Sequence, residues 1–329
     1  MPQMHRFFSG SINSIKTGII QHRCYVIPRS SYAPTLGGDS TIENNLKTET
    51  NRLSKTSQKF WKQVSIKEDG SKLLMQLDSK SILTPLGNPI VIDKDRRLLA
   101  MLLQKEWETL PNKSIKPHLL PLTSLVSRCI DLESVHGENG DPDLMAKIGG
   151  DREKIATDLL RYLDTDTLLI FSPHYEYEGA LREAQNNLYL PLISTVEQFL
   201  KRYTPSEVNL RVLDSDTDGL RGNSQAASTR EAAKKFLDSL SLWDLAVFEN
   251  TVLTSKSFIC GILMLQSKAS LKPSRHLELN TEEIVRAATL EIIHQVERWG
   301  EVEDTHDVDK RDVRRKLHAA GIVAFRERG

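Results

Sequence analysis

Apolar residues recur at steps of three and four across residues 281–299: Val285, Ala288, Ile292, Val296 and Trp299. That spacing is the period of one helix face. Asn280 stands at the cap position with Glu283 three residues on, and Gly300 is placed to end the helix in the left-handed conformation. The opposite face carries Glu291, His294, Glu297 and Arg298, and the chain beyond it holds Glu301, Glu303, Asp304, Asp307 and Asp309.

Earlier in the chain the period is two. Val64 and Ile66 alternate with polar neighbours, Asp69-Gly70 reads as a hairpin turn, and Leu73, Met75 and Leu77 alternate again. Residues 82–86, the turn Gly87-Asn88-Pro89 and residues 90–92 predict another strand, turn and strand. A helix then starts at Asp93 or Lys94 and runs to Leu110, with Leu98, Leu99, Leu102, Leu103 and Trp107 as its apolar stripe and Pro111 as its stop. Residues 115–121 are expected to be extended, because the residue before each proline avoids the helical region. A helix resumes over 122–131.

From residue 151 onward the pattern is helical almost throughout. Ile155, Leu159, Leu160 and Leu163 mark one helix. Leu181, Ala184, Leu188, Leu192 and Val196 mark another over 178–203, which Pro191 is expected to kink or restart. Residues 228–240, 242–253 and 257–266 return to apolar periodicity, and the short apolar run 258–265 reads as a buried strand or helix. The closing helix, from Val308 or Lys310 to Phe325, turns Val313, Leu317, Ala320 and Ala324 inward and leaves Lys310, Arg311, Arg314, Arg315 and Lys316 outside. The expected fold class is α+β: a small antiparallel β-rich N-terminal domain over 58–135, then a larger, mostly α-helical domain over 136–329.

Composition narrows the function classes. The chain has 329 residues with 44 Lys and Arg against 44 Asp and Glu, a balance that argues against a dedicated nucleic-acid binder. No apolar run approaches the ~18 residues of a membrane span. Cys24, Cys129 and Cys260 are odd in number and far apart, so neither a disulfide framework nor a zinc spacing follows and a reducing compartment is expected. Residues 1–38 contain no Asp or Glu, but do contain Arg6, Lys16, Arg23 and Arg29 among many Ser and Thr. That is the composition of a mitochondrial transit peptide, with processing near Arg23-Cys24-Tyr25 or Arg29-Ser30-Ser31. Residues 39–57 read as a linker.

No catalytic signature is present: there is no phosphate-binding glycine loop, no G-x-S-x-G and no paired-His metal motif. Asp164 and Asp166 are placed for capping and turn roles rather than as a metal pair. Asp214-Ser215-Asp216-Thr217-Asp218-Gly219 copies the start of an EF-hand loop, but Arg221 and Gln225 stand where that loop requires an apolar residue and a bidentate Glu. The 208–225 segment is expected to be a solvated insertion.

Several motifs in order carry a family resemblance. Phe60-Trp61-Lys62-x-Val64-Ser65 opens the series, followed by Leu77-Asp78-x-Lys80-x-Ile82-x-Thr84-Pro85-x-Gly87-Asn88-Pro89 and Glu106-Trp107. Pro121-Leu122-Thr123-Ser124-Leu125, Ile130-Asp131, Arg161-Tyr162-Leu163-Asp164-Thr165-Asp166-Thr167, then Gln185, Tyr189 and Pro191, and finally Trp299-Gly300-Glu301 complete it. Together, over about residues 58–325, they resemble the mitochondrial assembly chaperones for the F(1) sector of ATP synthase, those that attend the alpha subunit. The resemblance implies a binding protein of the mitochondrial matrix, without cofactor, nucleic acid or stable membrane insertion, monomeric when free and absent from the finished ATP synthase. A matrix enzyme of unknown reaction is the alternative, and an RNA-associated matrix factor is disfavoured by the neutral charge.

The acidic stretch after residue 290 opposes the helix dipole. It is either a solvated acidic loop or a surface for a basic partner. Trp299 is either an aromatic anchor or a buried core residue. The candidate partner-binding residues are Glu291, Glu297, Trp299, Glu301, Glu303 and Asp304.

Overall fold

The structure, a computed structural model, describes residues 59–327 apart from 112–116, 137–141, 220, 270–278 and 301–305. The expected transit peptide and linker lie outside the described residues, as do Glu301, Glu303 and Asp304.

The first elements form the expected antiparallel sheet. Strands β1 (Val64–Asp69) and β2 (Lys72–Leu77) pair from Val64↔Leu77 to Asp69↔Lys72, joined by a turn in which Gly70 takes φ 54°. β2 also pairs with β3 (Lys80–Ser81) and β4 (Val91–Asp93). Leu73, Met75 and Leu77 all turn to the core, as the period of two requires. The strand expected over 82–86 is shorter than its apolar pattern suggests. β3 ends at Ser81, and only an isolated bridge joins Leu83 to Pro89. Pro85 and Pro89 have no N–H to give to a ladder.

Helix α1 (Arg97–Glu108) follows a single 3-10 turn and packs Leu99, Leu103 and Trp107 under the sheet; Leu98, predicted on that stripe, is 47% exposed. Pro117–Leu119, expected to be extended, is a 3-10 turn, a conformation that proline at a first helical position favours. Helix α2 (Pro121–Val135) then begins with Pro121 in its first turn. The short α3 (Pro142–Lys147) and α4 (Arg152–Leu160) lead to a two-stranded parallel pair, β5 (Ile170–Phe171) and β6 (Leu213–Asp214), on either side of the long α5 (Ala180–Leu200). α5 is one helix through Pro191 rather than two.

The centre of the molecule is helical. In α6 (Ala227–Ser239), Ala232, Ala233, Phe236 and Leu237 face inward. α7 (Leu242–Ser255) and α8 (Phe258–Lys268) are joined by a tight bend at Lys256, φ 58°. The run 258–265 resolves as helix, buried along its whole length, as a helix apolar on every side must be. Gly261 permits the approach: a Cβ there would meet the Phe248 ring at 2.5 Å and Val252 at 2.8 Å.

The closing segments are α9 (Thr281–Ala288), α10 (Leu290–Trp299) and α11 (His306–Ala324). The single helix expected over 281–299 is therefore broken at Thr289. Its buried hydroxyl donates to the Val285 carbonyl at 2.8 Å, a back-bond that bends helices. α9 keeps the predicted capping box and buries Ile284, Val285 and Ala287, whereas α10 buries only Leu290. Ile292 and Val296 are half-buried.

Several residues of the family motifs hold elements together. Glu106 accepts hydrogen bonds from the Leu122 and Thr123 amides at 2.8 and 2.9 Å and so caps α2, which has no cap of its own. Asp131 accepts from the Thr84 hydroxyl at 2.5 Å and the Asn88 amide at 2.8 Å, pinning the Thr84–Asn88 turn to α2. Asp78, at φ 55°, accepts from the Lys62 and Gln63 amides. Asp166 fills the capping role expected of it: its side chain accepts from Leu168 and, across the chain, from Ile259 in the first turn of α8.

Candidate functional site

Two well-exposed aromatic residues are Tyr175, in the loop before α5, and Trp299, at the end of α10. Trp299 is 65% exposed and Tyr175 80%. Of the two readings of Trp299, anchor and core, the structure places it at the surface. Its ring rests against Tyr177, centroids 5.4 Å apart and tilted by 53°. Tyr177 also meets His294, centroids 6.3 Å apart. Edge and tilted contacts of this kind are the favoured geometries of aromatic pairs.

Tyr177 reaches α10 through an unusual backbone. Tyr177, Glu178 and Gly179 have φ of 50°, 57° and 83° in succession. Two non-glycine residues in the left-handed region are strained, and such strain persists only where the surroundings hold it. The flanks of this stretch, at His174 and Arg182, are tied to the segment read as a solvated insertion, which is instead built into the fold. Val208 and Leu210 are buried, and Asp214 sits on β6 beside β5. Arg182 pairs with Asp214 and donates to the Ser172 carbonyl at 2.7 Å. Asp216 contacts His174 at both its backbone amide, 3.1 Å, and its ring Nδ1, 2.5 Å. Hydrogen bonding to Arg182 holds the Asp214 carboxyl below its ordinary range, and the His174 side chain does the same for Asp216. The EF-hand-like carboxylates are thus used within the protein. Among the described residues no group of three or more His, Cys, Asp or Glu is arranged to hold a metal ion.

Carboxylates lie close to Tyr177. Glu291, one turn before Gln295 and hydrogen-bonded to it at 3.0 Å, lies on the α10 face that Tyr177 covers. Although the residue is exposed, protein crowding around its carboxyl pushes its pKa up, and the nearby Glu176 carboxylate adds to this; the Gln295 amide works against both. Burial first, then Glu291 and Glu176, also raises the Tyr177 hydroxyl. Glu178 is 85% exposed and meets Arg298 at 3.3 Å. Glu297 does not join this group: six residues after Glu291, it lies about 120° round the helix, exposed and facing away from Tyr177. The sequence thus pointed to Glu291 and Trp299 but missed Glu176, Tyr177 and Glu178. Their one local signal was Gly179 ahead of α5.

The cavity between Leu98, Thr281, His318 and Phe325 holds about 210 Å³, below the ~300–1,000 Å³ of ordinary small-molecule sites. Among the described residues no helix is long and apolar enough to cross a membrane.

The model of the family described as ATP12 chaperone protein matches residues 58–197. The mitochondrial protein ATP12 of Saccharomyces cerevisiae is 57% identical over 309 residues, covering 92% of this chain and 94% of that protein. This chain belongs to the ATP12 chaperone family. The mitochondrial atp12 of Schizosaccharomyces pombe is 36% identical over 266 residues, covering 81% of each chain. The family resemblance carried by the ordered motifs is therefore correct, and the protein is a mitochondrial matrix chaperone of ATP synthase F(1) assembly. Solved structures share the fold at low identity. A protein from Agrobacterium tumefaciens superposes with TM-score 0.61, 22% identity and coverage of 86% of this chain and 95% of that one. Atp12 from Paracoccus denitrificans does so with TM-score 0.54, 21% identity and coverage of 80% and 98%.

Proposed function

We propose that this ATP12-family chaperone holds the unassembled alpha subunit of the F(1) sector, covering the surface that subunit will later give to beta. The patch of Tyr177, Trp299 and Glu291 is the contact. An orphan subunit exposes apolar interface that aggregates. Masking it takes an aromatic anchor with a polar rim and no covalent chemistry. The observation that carries this reading is the exposure of Trp299, 65%, on a ring contact with Tyr177 and beside Glu291. In this reading the protein is a monomer when free and works by binding rather than catalysis.

Charge reversal tests the patch. Glu291→Lys, on the covered face, is expected to abolish co-purification of the alpha subunit while the protein stays folded by circular dichroism. Glu297→Lys, about 120° round the helix, is expected to weaken it less. If both folded variants retain the alpha subunit at wild-type levels, the patch is not the contact.

A further inference from the structure

The exposed rings and the acids around them fit one kind of group from the client better than any other. We infer that the Tyr177–Trp299 pair and the carboxylates of Glu176, Glu178 and Glu291 receive an arginine side chain of the bound subunit. This deepens the client-binding reading and rests on it.

The two rings meet at 53° with centroids 5.4 Å apart, and Trp299 is 65% exposed. An open indole face is the strongest aromatic receptor for a cation, and a planar guanidinium stacks on it in a way that an ammonium does not. Among the described residues the charges shown around Tyr177 have one sign except at one position. Glu176, Glu178 and Glu291 contribute carboxylates, and Arg298 faces them, 3.3 Å from Glu178. That pair is exposed on both sides, 48% and 85%, so it is weak and readily exchanged. Arg298 marks where a guanidinium already sits against this rim. Glu291 reaches no cation among the described residues; the hydrogen bond it makes in the structure is to the Gln295 amide. A purely apolar client surface would leave these carboxylates desolvated and unpaired on docking, a penalty of the kind that selects against wrong partners. An incoming arginine satisfies ring and carboxylates together.

The frame supports a receptor that is ready before binding. Tyr177 contacts both Trp299 and His294, on a left-handed backbone whose flanks are tied down through Arg182, Asp214, His174 and Asp216. The rings therefore have little left to order when the client arrives.

The test is binding of the isolated alpha subunit, by calorimetry, to full-length wild-type protein and to Trp299→Phe, Trp299→Leu and Arg298→Ala. The expected order is a loss of about tenfold for Trp299→Leu, a smaller loss for Trp299→Phe and a gain for Arg298→Ala, which frees Glu178. Wild-type affinity should also fall as salt is raised. Scanning glutamine replacements of the alpha subunit's surface arginines should find one that removes the difference between wild type and Trp299→Leu. Equal binding by Trp299→Phe and Trp299→Leu, with no salt dependence, would mean plain apolar docking and overturn the arginine receptor while leaving the alpha subunit as client. Failure of wild-type protein to bind the alpha subunit at all would overturn the client assignment, and the receptor with it.

Discussion

Asp166 has no exposed surface, yet it is the junction between the 3-10 turn at Thr167–Leu169 and the start of α8. Burial pushes its carboxyl up to about 6, against amide donors from Ile259 and Leu168 and the Ser257 side chain that pull the other way. The folded protein takes up this proton near pH 6 and the unfolded chain near the ordinary 3.8. Between those values the folded state holds more protons, so its stability rises as pH falls. Wild type should therefore gain on Asp166→Asn by about 1–3 kcal/mol as pH drops from 7 to 4.5. Parallel urea titrations of the two proteins measure the difference; a constant gap across that range would contradict the assignment. Arg96 is a second buried charge with a structural task. Its guanidinium lies 4.6 Å from the Trp243 ring centroid and donates to the carbonyls of Val323 and Phe325. The start of α1 is thereby tied to the end of α11.

Among the elements, the contact between α7 and α8 allows least change. Gly261→Ala places a methyl 2.5 Å from Phe248. The overlap costs about 1–3 kcal/mol, more than the ~1 kcal/mol that Ala gains over Gly in a helix. A lowered urea midpoint with an unchanged slope is the expected result. The central helices, the β1–β2 hairpin and the capping box at Asn280 were legible in the sequence because each is written in local periodicity or in one cap. The break at Thr289 was not, since a threonine hydroxyl turning back on Val285 leaves the apolar spacing unchanged. The turn at residues 177–179 was hidden for a related reason: tyrosine and glutamate give no warning of a left-handed backbone, and the groups that tie down its flanks lie some 40 residues downstream, at Asp214 and Asp216. Those same aspartates read as a failed metal loop until their partners were in view. Half of the patch was thus visible, the helix half, because α10 carries its acids and Trp299 in one run. The other half is assembled by tertiary contacts. The family motifs were legible for the opposite reason, since Glu106, Asp131 and Asp78 serve as caps and turn anchors whose partners are fixed by order and spacing.

At the scale of the molecule, the last described residues are joined to the start of α1. The Leu98 amide donates to the Glu327 carboxylate, and the Glu327 amide donates to the Asp95 carbonyl at 2.9 Å. Arg326 reaches Asp244 on α7 at 3.2 Å. The small sheet with α1 is in this way fastened to the helical core on its far side from the sequence. Held in this way, the fold can present α10 and the Tyr177 turn as one surface to a larger client. Light scattering of freshly diluted alpha subunit tests that claim most directly, with stoichiometric wild-type chaperone compared against folded Glu291→Lys and Trp299→Leu. Suppressed aggregation by wild type and its loss in both variants is the predicted result. Equal protection by all three proteins would contradict the account.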